Sequence, residues 1–260
     1  MNSSWRWPIA GVVVAIAITS TMDATGLTAY SSLPLLPLFL LFWYLERFSA
    51  QEVGFSWGRS RIWQSYAVAV GFPLVVTGAI AVAAYAMHAM HSDAVHHTTN
   101  VWVKLLLVAG STIPVALLTE EGFFRGWLWA SLKRAGRGIA ATLIATSIAF
   151  ALWHWSSVFL QTGYNPPPAQ IPTFMMNAAV LGAIWGMLRL LSGSLVVASV
   201  SHGVWNGLAY VLFGFGSHAG ALGISNTAVY GPEIGVLGLL LNLAVAAALW
   251  LWCKRAGVLR

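Results

Sequence analysis

Six polar residues stand where apolar helical sequence surrounds them: Glu120, Glu121 and Arg125 in TEEGFFRGWLWASL, His154 in AFALWHW, and His202 and Asn206 in VSHGVWNGL. A charge at the centre of a bilayer costs roughly 2.5–3.5 kcal/mol even on a lenient insertion scale, so groups retained there carry function by default. Helical geometry sorts them. Residues four apart share a face, and a glutamate preceding its basic partner is the better order; Glu121 can therefore neutralise Arg125. Glu120 is rotated about 100° away on an α-helix and has no helical partner, which is the condition of a general base. Phe150 lies four residues before His154 and can pack against and orient the imidazole. His202 and Asn206 present two hydrogen-bonding heads on one face. One carboxylate, two imidazoles and an amide from three helices would converge in a bundle interior. The chemistry they suit is hydrolysis by an activated water.

The elements that must position these groups are membrane spans. Of 260 residues, 58% are hydrophobic and only 8% are charged, against roughly 25% charged in a soluble domain. A soluble enzyme, a disordered tail and a coiled coil are excluded. Eight spans are predicted, near 8–22, 29–45, 63–87, 101–131, 138–156, 173–190, 194–213 and 233–252. The fold class is thus an all-α polytopic membrane helix bundle. No soluble domain fits between spans, so 1–260 is expected to be one transmembrane domain with a catalytic core at about 101–213. The fourth span is too long for a straight crossing, and Gly110 and Pro114 offer places to kink or tilt it. The breaks 163–172 and 214–232 read as ordered surface loops or lids. Gly122 and Gly126, and likewise Gly182 and Gly186, remove bulk where a neighbouring helix must come close.

The net charge of +6 would point to nucleic acid only if the basic residues formed a patch or stripe. They fall in short breaks instead, and no nucleic-acid partner is expected. One side of the bundle collects Arg6, then Arg47, Arg59 and Arg61, then Lys133, Arg134 and Arg137, then Arg189, then Lys254, Arg255 and Arg260; the other side has Lys104. The positive-inside rule then places both termini in the cytoplasm of a multi-pass protein of the cell (inner) membrane. Trp5, Trp7, Trp43, Trp57, Trp63, Trp102, Trp250 and Trp252 fall near span ends, as an interfacial belt should. The first apolar run lacks a small-residue cleavage site and is not expected to be a cleaved signal. His88, His91, His96 and His97 cluster in the break 88–100 and read as a solvated loop. The single cysteine, Cys253, excludes an internal disulfide or a Cys-based metal cluster.

Glu120-Glu121-x-x-x-Arg125, Phe150-x-x-x-His154 and His202-x-x-x-Asn206, in this order and each inside a span, resemble the motifs of the CAAX-protease and bacteriocin-processing family, which includes the type II CAAX prenyl endopeptidases. The resemblance covers roughly 115–210. It implies a glutamate-dependent intramembrane endopeptidase without a cofactor, acting on a membrane-anchored protein or peptide in the lipid bilayer. In that reading Glu120 activates a water together with His154, and His202 and Asn206 stabilise the oxyanion. Glu121, Arg125 and Phe150 hold the site in shape, and a polar cavity is expected to open toward the cytoplasm. Two alternatives stay open on the residues themselves. Glu120, His154 and His202 form a His₂Glu set that suits a catalytic zinc, although the chain has no His-Glu-x-x-His. A non-catalytic scaffold or a transporter could use the same polar core, although no repeated halves are found.

Overall fold

The computed structural model describes residues 5–59, 62–91, 98–160, 164–216 and 218–259. Among these, eight helical segments are long and apolar enough to cross a membrane: Arg6–Ala24, Thr28–Glu46, Ile62–Ala86, Asn100–Arg134, Ile139–Phe159, Pro168–Ser192, Leu195–Phe213 and Val236–Arg255. The polytopic all-α bundle expected from hydropathy is what the chain forms, and the protein is a multi-pass membrane protein. Helix edges move by a few residues. The largest difference is at the sixth span, which begins at Pro168 rather than 173, because proline at a first helical turn is compatible with a helix start.

The helices are α1 (Arg6–Ala24), α2 (Leu35–Glu46), α3 (Ala50–Val53), α4 (Ile62–Ala86), α5 (Thr98–Leu118), α6 (Trp129–Arg134), α7 (Ile139–Trp153), α8 (Trp155–Phe159), α9 (Ile171–Ser192), α10 (Leu195–Leu208), α11 (Thr227–Tyr230) and α12 (Val236–Arg255). Between α5 and α6 the chain winds as a π-helix over Glu121–Leu128, and a second π segment, Ala209–Phe213, follows α10. Strands β1 (Gly214–Phe215) and β2 (His218–Ala219) pair antiparallel in a short hairpin. The break at 214–232 is ordered against the end of α4: Met90 bridges Ile224, and Ser225 N–H donates to the Ala89 carbonyl at 3.0 Å. His88 and His91 are exposed, whereas His96 and His97 lie outside the described residues.

α10 is the axis of the bundle, packing against α4, α5, α9 and the first π segment. Its closest seam is with α5. A Cβ on Gly203 would come within 2.5 Å of Ile113 Cγ1 and 2.7 Å of the Ala109 carbonyl, and one on Gly207 within 2.9 Å of Ala109 Cβ. Apolar lipid tails give no hydrophobic drive to helix association, so backbones approach where side chains are smallest. The Gly122 and Gly126 pair works similarly toward α2, since a Cβ there would meet Phe39 at 2.8 Å and 3.3 Å. The polar side chains are turned inward while Leu106, Leu107, Val75 and Val82 face outward. This is the inversion a bilayer requires.

Gly203→Ala overpacks the α5–α10 seam, which costs about 1–3 kcal/mol in a close-packed core. Gly71 lies in α4 with nothing within 4 Å of its would-be Cβ. Gly71→Ala should therefore leave the thermal midpoint in detergent unchanged or higher, while Gly203→Ala lowers it.

Candidate active site

The π-helical turn begins at the paired glutamates. Shifting the backbone hydrogen bonds from i→i+4 to i→i+5 changes which side chains share a face, and such turns are frequent at functional sites. Two α-helical neighbours would diverge, as the sequence predicts for Glu120 and Glu121. The two carboxylates nevertheless meet one imidazole, each at a different ring nitrogen. Glu121 Oε1 lies 3.0 Å from His202 Nδ1, and Glu120 Oε2 lies 3.7 Å from His202 Nε2. The expected ion pair is present as well, with Arg125 Nη1 donating to Glu121 Oε1 at 3.2 Å and both residues fully buried. A carboxylate can only accept. As the counter-charge of Arg125, Glu121 therefore fixes the hydrogen of His202 on Nδ1, and Nε2 is the nitrogen turned to Glu120.

Aromatic rings hold both imidazoles. Trp185 stacks on His202 with centroids 4.0 Å apart and planes 11° apart. Phe150 meets His154 edge-on at 4.5 Å, as its spacing suggests, and also touches His202 at 6.3 Å. The Arg125 guanidinium lies 4.1 Å over the Phe150 ring and 5.5 Å from that of Trp185, a cation–π arrangement worth more when desolvated. His154 sits at the break between α7 and α8 with its Nδ1 2.8 Å from the Phe150 carbonyl. Since a carbonyl only accepts, that nitrogen carries the hydrogen and Nε2 is left as acceptor. Nearby, Ser156 donates to Asp23 Oδ2 at 2.6 Å and Trp153 to Thr19 at 2.7 Å. These bonds fasten α1 beside the histidine.

Glu120, His154, His202 and Asn206 line one cavity of about 540 Å³, with Phe150 in its wall. Glu121 and Arg125 stand behind it. Further polar groups escape the sequence reading. Glu233, in the turn before α12, lines the same cavity and accepts from Trp205 Nε1 at 3.1 Å and from Tyr164 at 3.4 Å. Desolvation raises its carboxyl above the ordinary range, against the opposing pull of those two donors. Its turn is pinned by Asn177, whose Nδ2 donates to the carbonyls of Pro232 and Glu233 at 2.8 and 3.1 Å, and Asn177 itself is held by Asn242. Asp23 completes the wall. A signal for both acids did exist: each lies at the end of the bundle that has few basic residues.

The cavity does not open toward the basic loops, as the sequence reading expects. Its rim is drawn from Thr28, Ala29 and Ser32 at the start of the second span, from Tyr164, and from His218 and Glu233. The opposite end is closed. There Arg134 binds Glu52 at 3.0 Å, Arg189 donates to the Glu52 carbonyl at 2.8 Å, and Ser56 donates to the Gly193 carbonyl at 2.9 Å. Among the described residues, no group of three or more His, Cys, Asp or Glu side chains is disposed to hold a metal ion.

Breaking one side of a buried ion pair costs about 3–5 kcal/mol because the other charge is left uncompensated. Glu121→Gln should therefore cut the yield of folded protein in detergent and lower its thermal midpoint. The double variant Glu121→Gln/Arg125→Met removes the stranded charge and should recover part of the loss. Equal behaviour of the two variants would contradict the pairing.

The three motifs and the helices that carry them fall within residues 100–208, which match the family model described as Rce1-like, type II CAAX prenyl endopeptidase. No curated protein and no solved structure matches the chain. Over this segment, which is less than half of the chain, the protein is similar to the Rce1-like family of type II CAAX prenyl endopeptidases.

Proposed function

We propose that the protein is an intramembrane endopeptidase that hydrolyses a peptide bond of a membrane-anchored protein or peptide with a water activated by Glu120. The observation that carries this reading is the convergence of Glu120, His154, His202 and Asn206 on one cavity. The similarity of residues 100–208 to the type II CAAX prenyl endopeptidases supports the reaction class; the roles of the residues are inferred from their chemistry.

Glu120 takes a proton from the attacking water while the water oxygen bonds to the scissile carbonyl carbon. His154, with its Nε2 lone pair, helps to orient that water. The negative charge that develops on the carbonyl oxygen needs donors aimed at it, which is commonly the largest single contribution to acyl-transfer catalysis. Asn206 supplies an amide N–H. His202 supplies a second N–H only when Nε2 carries a proton, and Glu120, 3.7 Å away, is the group that can hand one over. Base action and oxyanion stabilisation are thereby linked through one proton. Collapse of the tetrahedral intermediate breaks the C–N bond, and the proton leaves with the amine. Glu121, Arg125 and Phe150 position His202 and His154 without touching substrate.

No serine is called for as nucleophile, and Cys253 is buried in α12, so the mechanism contains no acyl-enzyme. Glu120→Ala should abolish hydrolysis. Asn206→Ala, which loses one oxyanion donor, should retain activity reduced by about 10²–10³. A single turnover in ¹⁸O-water should place label directly in the new carboxylate. Full activity of Glu120→Ala, or a trapped covalent peptide–enzyme adduct, would overturn the mechanism; Glu120→Gln that still supports the cellular role would favour a scaffold or transporter.

The distribution of Lys and Arg supports a cell-membrane protein with both termini in the cytoplasm. Topology reporters fused after Arg137 and within 214–232 should report opposite sides, and a shared side would sink that orientation.

A further inference from the structure

We infer that the site draws its substrate from the outer, extracytoplasmic face of the membrane, so that its substrates are membrane-anchored polypeptides already carried across the bilayer. The inference deepens the hydrolase reading and rests on it for the word substrate. The sidedness itself stands on two independent observations.

The first is which breaks between spans build the cavity. Ala29 and Ser32 come from the start of the second span, next to the connection between the first and second, Tyr164 from the connection between the fifth and sixth, and His218 and Glu233 from that between the seventh and eighth. In an eight-span bundle these three connections share one face. Among the described residues, the connections on the other face contribute nothing to the lining. They are bound to one another through Glu52, Arg134, Arg189, Ser56 and Gly193, and the π segment between them and Glu120 is fully buried. The lining thus favours entry of water and polypeptide from the face that supplies it. Hydroxyls at its lip, on Thr28, Ser32 and Ser111, give that entrance a polar edge within an otherwise apolar surface.

The second observation is charge. The closed face holds Arg47, Arg59, Lys133, Arg134, Arg137 and Arg189, whereas Lys104 is the lone Lys or Arg near the open one. Basic residues in short loops are retained on the cytoplasmic side. The cavity mouth is then outward. A cytoplasmic peptide would face the sealed end, about 20 Å of helix from Glu120 at 1.5 Å per residue to Lys133. An anchored chain with its scissile bond in the outer half of the bilayer meets the cavity directly.

Cysteine accessibility in native membranes tests this. Cys253 is fully buried, so an introduced thiol reports alone. Ala29, at the rim, and Gln51, at the sealed end, are both exposed. With a membrane-impermeant maleimide on intact cells, Ala29→Cys should label to the level found after lysis, and Gln51→Cys only once the cells are opened. The reverse pattern, labelling of both from outside, or labelling of neither from outside would overturn the inference. The readout needs no turnover. A wrong side refutes outward entry and leaves the hydrolase reading intact, whereas an active Glu120→Ala protein with the expected labelling refutes the hydrolase reading alone.

Discussion

A guanidinium with no access to water is the constraint around which the centre of this protein is arranged. Arg125 is fully buried, and Glu121 is its ion-pair partner. Taking such a charge out of water is expensive, and the attraction of one carboxylate repays it only with good geometry and further contacts. The surroundings provide them. Phe150 and Trp185 offer ring faces, and Gly182 leaves a gap, since a Cβ there would press to 3.0 Å of Nη2. The carboxylate that satisfies Arg125 is also the one that holds His202 Nδ1. Cost and purpose meet in Glu121: an ion pair in the wall is what orients the imidazole in the cavity.

That arrangement explains why four helices cannot move independently. The π segment brings the two glutamates, α7 brings Phe150 and His154, α9 brings Trp185 and Gly182, and α10 brings His202 and Asn206. Each contributes a group that touches Arg125, its counter-ion or the imidazoles. The glycine seam between α5 and α10 sets their separation at the level of the backbone. A shift of one helix would unpair a charge or open a void next to it.

Much of this was legible in the sequence, for a physical reason. In a chain with so few charges, each ionisable group inside an apolar run stands out, so Glu120, Glu121, Arg125, His154 and His202 identify themselves, and spacing alone pairs Glu121 with Arg125 and Phe150 with His154. Hydropathy likewise locates the spans, because lipid demands long apolar helices. The π winding was not legible, because a change of backbone hydrogen-bond partner leaves no mark on composition; nor was the place of His202 between Glu120 and Glu121, because spacing within one helix does not say which helix packs opposite. Asp23 and Glu233 were passed over because they lie at span ends, where a charge looks affordable to solvent. Their role depends on which connections fold over the cavity. The direction of the cavity was misjudged for the same reason, since it follows from how connections far apart in the chain pack, and no local pattern carries that.

Asp23, Glu120 and Glu233 all line the cavity, while no lysine or arginine among the described residues does, Arg125 being screened behind Phe150. Cutting a peptide bond creates a carboxylate that the substrate did not have. Under the proposed reaction the new acid would form beside other carboxyl groups with no cationic side chain in the lining to hold it, which favours its release. Rejoining the fragments is disfavoured for the same reason. The composition of the wall would make the cavity a poor resting place for the product of the proposed hydrolysis, so that the forward reaction would clear its own site.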